Sequence, residues 1–240
     1  MSRVRSNEIE LEYDAFGDRS DAPLLLIGGL GTQLITWDGD FCKLLASRNF
    51  YVVRFDNRDA GMSTWMDDGT RYRLDDMAAD AVGLLDALGI RAAHIVGASM
   101  GGFIAQLVAL DHPDRVLSLT SLISGPNGED RVDPTPEAMA MLIAPPPQTR
   151  EERIAAGLFA KKLLLGPDDP FDEPYERARI EQAVDRAYHP AGFVRQLQAI
   201  AAAPSRIPRL RSLRIPALVV HGDADILVPV ENGRRVAASI

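Results

Sequence analysis

The chain has 240 residues, which suits one large domain or one domain carrying an insertion and is too short for two unrelated full-size domains of about 150 residues each. Hydrophobic residues make up 46% and charged residues 25%, a composition that buries a sizeable core and excludes disordered and fibrous classes. The 34 acidic and 26 basic side chains leave a net charge of -8, which repels phosphate backbones and anionic bilayers, so nucleic acid and membrane are not expected partners. A neutral or apolar small molecule is the expected substrate. Cys42 stands alone, and with four histidines it offers no zinc-ligand spacing, so no disulfide, metal or cofactor is expected. Met1 to Glu8 contains no signal-like apolar run, and Leu24 to Leu34 is too short and too glycine-rich to span a bilayer. A cytoplasmic monomer or homodimer is the expectation.

Short β-rich runs alternate with segments of helical period, the pattern of an α/β fold whose mostly parallel sheet is flanked by helices. Ile9 to Tyr13 alternates as an edge strand does, whereas Leu24 to Ile27 and Tyr51 to Phe55 are continuous apolar runs, as strands buried on both faces require. Met77, Ala81, Leu84, Leu85 and Leu88 define a helical face between Asp75-Asp76 and Gly89. Ala92 to Val96 predicts the next strand, Ser99 to Leu110 a helix rich in small residues, and Val116 to Ile123 a further strand. From Gly125 to about Pro208 prolines punctuate short helical patches at Glu151 to Leu165 and Tyr175 to Tyr188, which reads as an insertion. Ala217 to Val220 returns to strand, and Glu231 to Ile240 begins a helix. The expected division is core 1–125, inserted helical lid 126–208 and core 209–240.

Gly97-Ala98-Ser99-Met100-Gly101 has the G-x-S-x-G spacing and lies between a strand and a helix, the context in which a serine is exposed on a strained turn. Side chains at Gly97 and Gly101 would collide with neighbouring chain. The competing reading is a glycine-rich turn with an ordinary N-cap serine. A serine nucleophile needs a base and preorganised donors for the developing oxyanion. Met100 N–H at the helix start is one expected donor; Leu30 N–H, in the Gly28-Gly29-Leu30-Gly31 turn, is the other. An acid is expected on a later strand end, where Asp225 lies beyond Gly222, while Asp223 is expected to bond the turn backbone.

Gly97 to Gly102, Phe55-Asp56-Asn57-Arg58-Asp59-Ala60-Gly61-Met62-Ser63, Ala109 to Val116 and His221-Gly222-Asp223-Ala224-Asp225 together resemble the α/β-hydrolase superfamily. Within it, Gly29 to Leu34 and Asp56 to Ser63 are most similar to a carboxylesterase group that includes aclacinomycin methylesterase-like enzymes. The resemblance implies a Ser-Asp-His esterase with a lid over its active site, Ser99 as nucleophile, Asp225 as acid, and Leu30 with Met100 as the oxyanion hole.

The implied histidine should follow the acid in chain order, and no histidine follows His221. His94 lies within a strand, His112 at a helix C-terminus, and His221 at a strand end too close in sequence to Asp225 to be the ring that carboxylate orients. A structural role is favoured for each, with His189 the nearest substitute because lids swing. The chain stops inside an uncapped helix, which leads to the expectation of a C-terminally truncated sequence lacking roughly 30 to 45 residues with a helix, an edge strand and the histidine loop. Asp56-Asn57-Arg58-Asp59 is expected to be a loop held by Arg58 and its carboxylates, and Trp37 and Trp65 to pack loops near the site. Met139, Met141, Leu142, Ile143, Leu158 and Phe159 are expected to form an apolar wall or the lid's own core.

The sequence therefore points to a serine esterase acting on a small or hydrophobic ester. A cofactor-free haloperoxidase or perhydrolase would share the triad, and a non-catalytic ligand-binding protein would lack the base. A dehalogenase is disfavoured because it needs a carboxylate where Ser99 stands.

Overall fold

The computed structural model describes all 240 residues. Two strands open the chain, β1 (Ser2–Ser6) and β2 (Ile9–Phe16), joined by a tight turn in which Asn7 takes φ 54°. β1 is not foreseen by the sequence reading. Its residues alternate polar with little apolar content, and the hairpin is legible only from the turn residue, which tolerates the left-handed region. β3 (Ala22–Ile27), α1 (Gly39–Ala46), β4 (Phe50–Phe55), α2 (Leu74–Ala87), β5 (Ala93–Ala98), α3 (Met100–Asp111) and β6 (Val116–Leu122) follow.

The seven strands, with β7 (Ala217–Val220) last, form one sheet in the order β1-β2-β4-β3-β5-β6-β7. The β1–β2 and β2–β4 pairs are antiparallel and the rest parallel. The expected mostly parallel sheet flanked by helices is what forms. β3 shows why both faces must be apolar: Leu25 and Ile27 join the main core with α2 and α3, while Leu24 and Leu26 pack with Val52 and Cys42 on the other side. Pairing of Ile27 with Gly97, Ala98 with Leu122, and Leu122 with Val220 brings the C-terminal ends of four parallel strands to one edge. Loops leaving that edge meet one another, which is where open α/β sheets place their ligands.

Between β6 and β7 the chain inserts α4 (Pro136–Leu142), α5 (Arg150–Leu164), α6 (Glu173–Arg186), α7 (Pro190–Ala202) and α8 (Ile207–Leu210). Pro136, Pro174, Pro190 and Pro208 sit in the first turns of their helices, where a missing N–H costs nothing. These prolines therefore start helices that a reading of them as punctuation underestimates. Leu158 is buried among the inserted helices, but Ile143 and Phe159 face solvent, so those two belong to no packed core. α9 (Val230–Ala237) follows β7, which forms one edge of the sheet with Leu218 and Val220 half exposed. No helix is long and apolar enough to cross a membrane.

Candidate active site

Ser99 sits between β5 and α3 with φ 54° and ψ -119°. A non-glycine residue held there stores about 1–3 kcal/mol of strain, which surrounding contacts must hold in place. They do so through its main chain: Ser99 N–H donates to Leu122 O at 2.9 Å, and Ser99 O accepts from Gly102 N–H and from Ser124 Oγ, each at 2.9 Å. The side chain makes no cap hydrogen bond to the helix, unlike the ordinary N-cap serine of the competing reading. Ser99 is half-buried with its hydroxyl uncommitted.

The flanking glycines are required by contact. A Cβ on Gly97 would stand 2.0 Å from Gly101 O, and one on Gly101 would stand 2.1 Å from Ile27 O. The loop after β3 closes over the serine, because a Cβ on Gly29 would lie 3.4 Å from Ser99 Cβ and 3.9 Å from Oγ. Neither Leu30 N–H nor Met100 N–H has an acceptor within the protein. Two unpaired main-chain donors thus belong to the segments next to Ser99, one on the glycine loop and one at a helix N-terminus with its positive dipole end.

Asp225 follows β7 at the same sheet edge. Its Oδ1 accepts from Leu227 N–H at 2.9 Å and Val228 N–H at 2.8 Å. The turn-bonding role expected of Asp223 therefore belongs to Asp225. Two main-chain donors hold one carboxylate oxygen and leave Oδ2 directed elsewhere, 3.5 Å from His221 Nε2. That ring is closer to Asp225 than the sequence argument allowed, because the turn after Gly222 folds back on the strand end. Its Nε2–H donates to Val228 O at 2.5 Å, so His221 ties the turn.

Two of the remaining rings are also engaged. His94 Nδ1 lies 2.7 Å from Ser118 Oγ, whereas His112 ends α3 with its main-chain N–H on Val108 O. His189 stacks on Trp65 with ring centroids 4.2 Å apart, its Nε2 2.9 Å from Arg195 Nη2 and 3.3 Å from Asp59 Oδ1. Trp65 also donates from Nε1 to Gly61 O at 3.0 Å within its loop, whereas Trp37 stacks on Phe41 of α1. None of the four rings hydrogen-bonds Ser99.

Burial opposes the His221 charge, but the Asp225 carboxylate and Val228 O outweigh it and raise its pKa above the ordinary value. A raised folded-state pKa adds stability that is complete below an unfolded pKa of about 6.5 and fades as pH rises through the folded value. Melting temperatures of the parent chain and His221→Gln, measured across that window, should converge as pH rises. A constant difference would show that the ring is not charged in this contact.

The acidic loop after β4 is built differently from the expectation. Arg58 reaches away to Asp80 of α2, with Nε–Oδ2 2.5 Å and Nη2–Oδ1 2.7 Å. The loop's own carboxylates instead take arginines from the inserted helices. Asp56, fully buried, accepts from Leu34 N–H at 2.6 Å, Met62 N–H at 2.8 Å and Arg186 Nη2 at 2.7 Å. Asp59 receives Arg195 in a bidentate pair at 2.8 and 2.9 Å. Burial raises the cost of the Asp59 charge, yet Arg195 and Met66 N–H hold its pKa below the usual carboxylate range. Arg186 also donates to Gln33 Oε1 at 2.7 Å, and Gln33 donates to Ala183 O and Ala187 O. Arg186 and Arg195 have no signature in sequence, since their partners lie 130 and 136 residues away.

A family model described as the alpha/beta hydrolase fold matches residues 22–240. The chain belongs to the α/β-hydrolase fold family. The resemblance read from its motifs is therefore met. Among α/β-hydrolase relatives, rhodomycin D methylesterase DauP from Streptomyces sp. (strain C5) is 34% identical, over 99% of this chain and 86% of that protein. The 2-hydroxy-6-oxononadienedioate/2-hydroxy-6-oxononatrienedioate hydrolase of Burkholderia vietnamiensis is 30% identical, over 95% of this chain and 79% of that protein. An enol-lactonase from Burkholderia xenovorans LB400 superposes with TM-score 0.79 and 27% identity, covering 100% of this chain and 88% of that one. These relatives support an ester-hydrolase type of α/β-hydrolase.

Proposed function

We propose that the protein is a serine hydrolase that cleaves carboxylic esters, a methyl ester of a hydrophobic acid among them, through an acyl-Ser99 intermediate. The observation that carries this reading is an uncommitted Ser99 hydroxyl on a strained turn, with the unpaired N–H groups of Leu30 and Met100 on the adjoining segments. Ser99 Oγ attacks the ester carbonyl carbon as a base takes its proton. The oxyanion lies on the two N–H groups, and collapse expels the alkoxide, which leaves protonated as the alcohol. Water then adds to the acyl-serine and releases the acid. Asp225, with Oδ1 fixed by two main-chain donors and Oδ2 facing His221 in this chain, is the carboxylate that would orient the base. No histidine among residues 1–240 stands in that place, so the 240-residue chain is impaired for want of the base.

Residues 126–208 serve as the lid, seated by Arg186 on Asp56 and by Arg195 on Asp59. These pairs bear on substrate choice. Arginines that meet the loops of this sheet edge are engaged within the protein, Arg58 on Asp80 and Arg206 on Gln106 and Gly125 O. A methyl ester, the bond named for the rhodomycin D methylesterase, suits these committed arginines better than a dienedioate.

Labelling with a fluorophosphonate probe tests the reading. The parent chain should carry phosphonylated Ser99 when imidazole is supplied as base, and Ser99→Ala should carry none. Equal labelling of both chains, or labelling of neither, would remove the nucleophile assignment and favour a ligand-binding role for the fold.

A further inference from the structure

The Leu30 donor sits in a loop of glycines, and glycine-rich backbone does not hold an N–H in place unaided. Its peptide plane is fixed by neighbours on both sides. The Gly29–Leu30 peptide carries the Leu30 N–H at one end and Gly29 C=O at the other, pointing in opposite directions across a trans bond. Gly29 O accepts from Thr32 twice, from Oγ1 at 3.0 Å and from the main-chain N–H at 3.3 Å. Anchoring the carbonyl turns the N–H away from Thr32, and hydrogen bonds to a carbonyl polarise the same peptide's N–H. The next peptide is held from the inserted helices: Gly31 N–H donates to Gln196 Oε1 at 2.8 Å, while Gln196 Nε2 donates to Arg58 O at 2.7 Å. Gln196 is fully buried, and around it α7 lies tight on the same loops. A Cβ on Gly31 would stand 2.6 Å from the Phe193 ring, and one on Gly192 would stand 2.2 Å from Asp59 O.

We propose that Thr32 and Gln196 are positioning residues of the oxyanion site, fixing the two peptides on either side of Leu30 so that its N–H faces the carbonyl oxygen over Ser99. The proposal rests on the serine-hydrolase reading and adds to it that α7, seated on the core, completes the oxyanion site. A threonine three residues after Gly29, the second glycine of the Gly28-Gly29 pair, is a turn signature that the sequence carries. The glutamine, 165 residues from Gly31, is not.

The test uses fluorophosphonate labelling of the 240-residue chain with imidazole as base, because the phosphonyl oxygen of the adduct occupies the oxyanion position. Saturating rate and half-saturating probe concentration are measured for the parent, Thr32→Val, Thr32→Ser and Gln196→Leu. Thr32→Val keeps the side-chain shape and removes the hydroxyl; its saturating rate should fall about 10- to 100-fold, with the half-saturating concentration unchanged. Thr32→Ser restores the hydroxyl and should stay within about threefold of the parent. Gln196→Leu should lower the rate as Thr32→Val does, and where it fails to fold the threonine pair decides alone. An unchanged rate in Thr32→Val, an equal loss in Thr32→Ser, or a loss confined to the half-saturating concentration overturns the positioning role while Ser99-dependent labelling stands. A parent chain whose labelling does not depend on Ser99 overturns both readings.

Discussion

Gly101→Ala should leave the chain at the margin of folding. Its Cβ would enter within 2.1 Å of Ile27 O and 2.7 Å of Gly28 O, main-chain atoms that cannot step aside cheaply. Ile27 ends β3, which pairs with β4 on one side and β5 on the other, so moving it breaks ladder bonds on both. Gly97→Ala meets Gly101 O at 2.0 Å and the Gly102 nitrogen at 2.7 Å, pushing α3 off the same turn. Overpacking typically costs about 1–3 kcal/mol, and where the obstacle is central backbone the upper end or more is expected. Against a total stability of about 5–15 kcal/mol, a loss of about 3 kcal/mol lowers Tm by roughly 6–12 °C. Gly39→Ala is the control, because nothing lies within 4 Å of a Cβ there. Calorimetry showing Gly97→Ala or Gly101→Ala melting with the control would mean that the strand-to-helix turn is not packed in this way.

The same residues show what a sequence can and cannot reveal. Gly97, Ser99 and Gly101 were legible because a tight turn imposes its requirements within five consecutive positions, and apolar runs such as Leu24 to Ile27 announce burial on two faces by composition alone. Gly89 closed α2 as expected, at φ 69°, since a helix end needs one residue of free conformation. What escaped is set by contacts without period. Asp56 and Asp59 looked like partners of the adjacent Arg58, yet Arg58 bonds Asp80 while Arg186 and Arg195 arrive from helices more than a hundred residues on. Buried carboxylates demand cations, but the demand does not say which. Asp225 takes the turn contacts expected of Asp223 for a related reason: both are suited to an Asx turn, and only the path of the main chain after Gly222 selects the one whose Oδ1 meets Leu227 and Val228.

Exogenous imidazole should accelerate phosphonylation of Ser99 in the 240-residue chain, and ester hydrolysis with it. The argument begins from how each histidine is spent. His94 is bonded to Ser118 inside the sheet, His189 is stacked on Trp65 between Arg195 and Asp59, His221 donates to Val228 O, and His112 ends α3. On the proposed serine-hydrolase reading, Ser99 therefore has its strained turn and the unpaired Leu30 and Met100 N–H groups but no proton acceptor. Loss of a triad base typically costs at least about 10³-fold in turnover while binding and oxyanion donors retain part of the acceleration. A diffusible imidazole recovers part of that loss, because general-base catalysis by a positioned group contributes about 10²–10⁴-fold. At least about tenfold acceleration is expected, saturating with imidazole, absent in Ser99→Ala and reduced in Asp225→Asn, which keeps the Leu227 and Val228 hydrogen bonds but removes the negative charge that steadies an imidazolium. The pH dependence carries the sign: acceleration should rise through the imidazole pKa, since only the neutral ring accepts the serine proton. Acceleration that persists in Ser99→Ala would place the reaction in solution, and a parent chain already fast without imidazole would mean that a base within residues 1–240 reaches Ser99.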